Sequence, residues 1–206
     1  MSFYSALRPK VAALCLAAVL AMSVAPQAQD DATAPLTALG KGDITAFADE
    51  PVVIAAIMAQ NVITNGYDQD KIDALDRQWR AEVGSSKRPL IEATTGNGAS
   101  TFLVDVQKAS LGRYTEILVM DAKGLNVAQT ILTSDYWHGD EDNFTATFGA
   151  TADAVHVGKI GRNVRSQALQ SQVSVPVTHP VSGALIGVIT VGVDVSMLYL
   201  LVVAPG

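Results

Sequence analysis

The apolar spacing of this chain changes once, near Tyr114, and that change bounds the fold. Ahead of it, Val53, Ile54, Ile57, Met58 and Val62 recur at helical intervals, as do Ile72, Leu75, Trp79 and Val83. Steps of three and four residues put each set on one face of a helix, and such a face packs on a core. Behind Tyr114 the period shortens. "YTEILVM" and "LNVAQT" flank "DAKG", a turn in which Gly124 supplies the unusual backbone angle, so the two runs form a hairpin. Val155, Val157 and Ile160 suggest a third strand. "QSQVSVPV" sets Val173, Val175 and Val177 on one face and Gln170, Gln172 and Ser174 on the other, with Pro176 implying an edge or a bulge. "ALIGVITVGV" is a mostly buried strand. The fold class expected is α+β: a long N-terminal helical segment packed on a five-stranded, mainly antiparallel sheet.

Punctuation sharpens the boundaries. Asp49 and Glu50 before Pro51 make a helix start, and Asp68 can cap a second helix that Gly84-Ser85-Ser86 ends. Residues 88–97 look like a loop, and Ala99 to Leu111 a shorter third helix ended by Gly112. A short helix is expected near Asp140 to Phe148, and Asp194 caps a final one from Val195 to Leu200.

The first residues differ from the rest. Arg8 and Lys10 precede an apolar run of 15 residues, Val11 to Ala25, and small residues follow. That is the layout of a secretory signal peptide, and the run is short for a membrane span, which takes about 20 residues. Residues 1–28 are assigned to it, with cleavage between Ala25 and Gln29, the alternative being an uncleaved anchor. Residues 29–42, polar and small without periodicity, are expected to be a flexible leader, and residues 43–206 a single domain. The lone cysteine, Cys15, falls in the signal, so the mature domain has no disulfide and no thiolate. Without Arg8 and Lys10 the chain carries 12 basic and 20 acidic residues, a net −8. That charge disfavours a nucleic-acid partner and an anionic membrane surface. The expected location is the periplasm.

The motifs of several catalytic chemistries are missing. The three histidines, His138, His156 and His179, form no zinc pair, and no nucleophile elbow or phosphate loop occurs. No enzyme activity, metal or cofactor is expected. The acids of "GDED", Gly139 to Asp142, are better placed as a helix start than as a calcium loop, whose spacing they do not match.

"YTEILVMDAKGLNVAQT", "TSDYWHGDEDNF" and "QSQVSVPVTHPVSGALIGVITVGVDVSML" in series resemble the Cache domain, a PAS-like extracytoplasmic sensor module of bacterial receptors, single-Cache type. "AIMAQN" and "IDALDRQWR" resemble its long amino-terminal helix. The resemblance covers about residues 43 to 200. It implies a small-molecule pocket on the sheet face away from that helix, walled by the connector after the second strand. Within that connector Tyr136 and Trp137 offer amphipathic walls or a core plug, and Asp135 and Asp140 offer acceptors. Arg113 either meets a ligand carboxylate or stays on the surface, and Gln172 and Ser174 either line the pocket or face solvent. The expected ligand is an amino acid, a small carboxylate or similar. The loop "GRNVRSQ", with Arg162 and Arg165, replaces an acidic segment of related modules. Such receptors continue into a membrane helix and an output domain, whereas this chain stops at Gly206. A stand-alone sensor presenting its liganded state to a membrane receptor is therefore expected. It is expected to pair with a second copy through the long helix. The alternative is a ligand-free interaction module on the same fold.

Overall fold

The computed structural model describes residues 26–163 and 167–198. The signal-peptide run with Cys15, and Arg165 of the basic loop, lie outside the described residues. Helices α1 (Pro26–Leu39), a π-type turn (Gly40–Ile44), α2 (Thr45–Ala48), α3 (Pro51–Thr64), α4 (Gln69–Glu82), α5 (Pro89–Thr95) and α6 (Gly98–Ala109) come first. Strands β1 (Tyr114–Asp121) and β2 (Asn126–Gln129) follow, then α7 (Asp142–Phe148), β3 (His156–Val157), β4 (Gly161–Arg162), β5 (Leu169–Thr178) and β6 (Leu185–Asp194). A last helical turn begins at Val195.

The sheet is antiparallel throughout, in the order β2-β1-β6-β5-β3, with β4 also on β5. Helices on such a sheet give the α+β architecture expected, with the PAS-like layout that the resemblance implied, and the hairpin closes at Gly124, whose φ is +80°. Strand alternation sorts the core. Ile117, Val119, Val173, Val175, Val177, Ile189, Val191 and Val193 face the helical layer with Ile44, Val53, Ile57 and Leu103. The opposite parity gives Leu118, Met120 and Val188, covered by Phe144 of α7 and flanked by Phe148. A third cluster sits beside the hairpin, where Ile72 and Trp79 of α4 and Ile91 of α5 meet Leu125 and Tyr136.

Two expectations are corrected. Residues 29–42 are helical, not a flexible leader: Ala32 and Leu36 are fully buried against the main core. Small residues hide the apolar stripe, and Gly40 is where the turn comes close to the sheet; a Cβ there would lie 2.6 Å from Val155 Cγ1. Residues 88–97 contain α5 rather than a plain loop. Pro89 opens it at a position that needs no N–H. Its free N–H groups at Leu90 and Ile91 donate to Glu82 Oε2 at 2.9 and 3.0 Å. Among the described residues no single helix is long and apolar enough to cross a membrane.

Candidate functional site

The sheet face away from α1–α3 grades from apolar to charged along its strands. Register sets Leu118, Thr190 and Ser174 in one row, and Glu116, Gly192 and Gln172 in the next. Gly192 matters because it has no side chain. A Cβ there would lie 2.8 Å from Glu116 Cγ. The Gln172 amide therefore reaches across the glycine and donates to Glu116 Oε1 at 3.3 Å, as the Gln170 amide does at 3.4 Å. Thr115 Oγ1 and Asn163 Nδ2 both donate to Gln170 Oε1. The carboxylate is thus held in place by neutral amides.

The connector closes over this face. Its middle runs beside the start of β2: the Asn126 N–H donates to the Tyr136 carbonyl and the His138 N–H to the Gly124 carbonyl, at 2.9 and 2.8 Å. Asp76 of α4 clasps it from outside. Asp76 Oδ1 accepts from the N–H groups of Tyr136 and Trp137 at 2.8 and 3.2 Å, and Arg80 Nε donates to Oδ2 at 2.8 Å. Burial pushes the Asp76 carboxyl up, but these donors outweigh it and hold its pKa below the ordinary carboxylate value.

Between sheet and connector lies an open cleft of about 390 Å³, and beneath it a smaller chamber of about 70 Å³. Glu116, Ile131, Thr133, His138 and Glu141 line both. Arg162 and Asn163 line the open part, while Leu118, Asn143, Gln172 and Thr190 line the chamber. His138 is 5% exposed, and its Nδ1 lies 2.8 Å from Glu141 Oε1. A carboxylate only accepts, so Nδ1 carries the proton there. His138 Nε2 and Asn143 Oδ1 are buried without a hydrogen-bond partner among the described residues.

The residues singled out in the sequence scatter around this cleft. Gln172 lines the chamber. Ser174 is buried, its Oγ 2.8 Å from Thr190 Oγ1, so it pairs with a chamber residue rather than with solvent. Asp135 lines the open cleft, with its carboxylate on Arg80 Nη2 at 2.9 Å. Tyr136 is a core plug, 5% exposed, stacked on Trp79 with ring centres 5.3 Å apart, and burial pushes its phenol up to about 12. Trp137 Nε1 donates to the Lys123 carbonyl at 2.8 Å, and its ring lines an outer groove with exposed Asp140. Arg113 lies at the foot of β1 and pairs with Asp43 at 3.2 Å; it lines neither the cleft nor the chamber. Glu116, His138, Glu141, Asn143 and Thr190 are among the lining residues that the sequence reading does not single out as ligand contacts.

No family model and no curated protein matches the chain. Among solved structures it is similar to the sensor domain of the V. cholerae histidine kinase DctB, at 15% identity and a TM-score of 0.46, over 84% of this chain and 55% of that one. It is similar to the E. coli DcuS sensor domain, at 17% identity and a TM-score of 0.40, over 85% of this chain and 95% of that one. A third is the ligand-binding domain of a Campylobacter jejuni chemoreceptor in complex with 4-methylisoleucine, at 12% identity and a TM-score of 0.39, over 83% and 65%. The chain thus spans about half the length of the first of these.

Proposed function

We propose that this chain is an exported, periplasmic sensor domain of the Cache type, which binds a small molecule in the cleft between sheet and connector. It presents the liganded state to a membrane signalling partner. The observation that carries the reading is the pair of buried polar atoms, His138 Nε2 and Asn143 Oδ1, that lack partners among the described residues and belong to chamber-lining side chains. A buried polar atom without a partner costs about 1–3 kcal/mol, and a ligand supplying the hydrogen bond removes that cost. Because the connector forms one wall, a ligand bridging it to β1 and β5 favours one arrangement of the wall over others, which is how binding becomes a signal.

The rival reading, an interaction module without a ligand, is favoured by α3. Ala55, Met58, Ala59, Val62 and Ile63 are exposed on it, Val62 at 83% and Ile63 at 65%. Thermal unfolding of residues 26–206 against amino acids, organic acids, amines and nucleobases separates the two. At 100 times its dissociation constant a ligand of the folded state adds about 2.7 kcal/mol. That raises the midpoint of a domain this size by about 5–10 °C. A stabilising compound supports the sensor. A panel without one supports the interaction module.

A further inference from the structure

We infer that the ligand is recognised through a protonated amine on a short apolar stem, held in the inner chamber by Glu116 and Glu141. The inference rests on the cleft being the ligand site, and it adds the chemical class. The groups facing the chamber are in surplus as acceptors. Glu116 and Glu141 are carboxylates, and Asn143 Oδ1 is an unpartnered acceptor. With Nδ1 donating to Glu141, His138 Nε2 is a second buried polar atom on the lining without a partner among the described residues.

The neighbouring donors are engaged elsewhere. The side-chain amides of Gln170 and Gln172 already donate to Glu116. Among the described residues no Lys or Arg lies within ion-pair distance of Glu116 or Glu141, and Asp135, the other acid on the cleft, has Arg80. Arg162 lines the open cleft but not the chamber, and it donates to the Gln167 carbonyl.

An ammonium fits this arrangement in number and size. It has three donors and no acceptor, which matches two carboxylates and Asn143 Oδ1. A buried cation is tolerated only when paired and hydrogen-bonded, and the chamber offers both. At about 70 Å³ it holds a head group of one or two heavy atoms, since a water occupies about 30 Å³. The stem would then leave past Leu118 and Ile131, the apolar part of the lining. A carboxylate in the same place would meet two of its own kind.

The test is titration calorimetry with 1,4-diaminobutane and 4-aminobutanoate as amines, and succinate and butanoate as anions without one. It uses wild type, Glu116→Gln and Glu141→Gln, each checked by circular dichroism and its own melting curve. Glu141 is the safer substitution for folding, because its side chain is 44% exposed. The expected result is binding of at least one amine and neither anion. Each Gln variant should weaken the amine by about tenfold to a hundredfold, the usual effect of losing a hydrogen bond to a charged group. Binding of succinate but no amine overturns the charge assignment and leaves the ligand site standing. Amine binding unchanged in both Gln variants overturns the charge assignment as well. A wider metabolite panel in which nothing stabilises the protein overturns both.

Discussion

Trp79→Ala is expected to destabilise the protein by about 4 kcal/mol, within the usual range for removing a buried aromatic. Trp79 is fully buried at the centre of the cluster joining α4, α5, the hairpin turn and the connector. Three losses add together. The ring leaves a cavity among Ile72, Ile91, Leu125 and Tyr136. The stacking on Tyr136 at 5.3 Å disappears, a term of about 0.5–1.5 kcal/mol in comparable pairs. The Thr133 carbonyl loses the Nε1–H that reaches it at 3.0 Å. Thr133 lines the cleft, so the variant should also bind ligand more weakly than its folded fraction explains. Trp79→Phe keeps most of the burial and should cost about half as much. Urea unfolding followed by circular dichroism measures both; a loss under about 1 kcal/mol for the alanine variant, below the range for buried aromatics, would mean that α4 is not docked on the connector as described.

Asp121→Ala should cost about 3 kcal/mol by leaving several buried donors without an acceptor. The Asp121 side chain is completely buried at the hairpin turn. Its Oδ1 accepts from the N–H groups of Lys123 and Leu125 at 2.8 and 3.0 Å. Its Oδ2 accepts from Thr64 Oγ1 at 2.8 Å and Gln60 Nε2 at 3.2 Å, both on α3. One carboxylate thus shapes the turn and ties it to the helical layer. Through Gly124, whose carbonyl receives the His138 N–H, it also positions a chamber residue. Asp121→Asn keeps the shape but replaces one acceptor with a second donor facing Gln60 and Thr64, and it should still lose more than half of that stability. Hydrogen exchange at Leu125 and His138 should rise in both variants. Stability within about 0.5 kcal/mol of wild type, the usual spread for surface changes, would contradict the assignment.

The parts of the fold legible in the sequence were those with a strong local period. Helices α3 and α4, the hairpin, and strands β5 and β6 each carry a buried face whose spacing names the element. Helix α1 was not legible because Ala32, Leu36, Gly40 and Ile44 repeat every four residues with small members among them, and Pro35 argues against a helix interior. The signal for α5 was present in Pro89 and Gly96, a proline at the start and a glycine at the end; its carboxylate cap comes from Glu82, on the preceding helix.

The site was harder to read for a different reason. Aromatic side chains such as Tyr136 and Trp137 suit a pocket wall, yet a stacked pair such as Tyr136 on Trp79 equally fills a core. The better signal was parity. Glu116 is the third residue of "YTEILVMD", and "ALIGVITVGV" is interrupted by Gly192, which register places opposite it, and by Thr190 in the next row. An acid on a strand whose neighbours are apolar, opposite a glycine, marks a face made for something other than packing. The link from Asp76 to the connector spans 60 residues and leaves no local trace.

The central claim, that a small molecule binds between the sheet and the connector, is tested most directly by mapping amide and side-chain shifts in two-dimensional NMR spectra as a stabilising compound is added. The account predicts the largest changes at Glu116, Leu118, Thr133, His138, Asn143, Gln172 and Thr190, with the Trp79 indole almost unmoved. Changes confined to α3, or to the outer groove around Trp137 and Asp140, would contradict it.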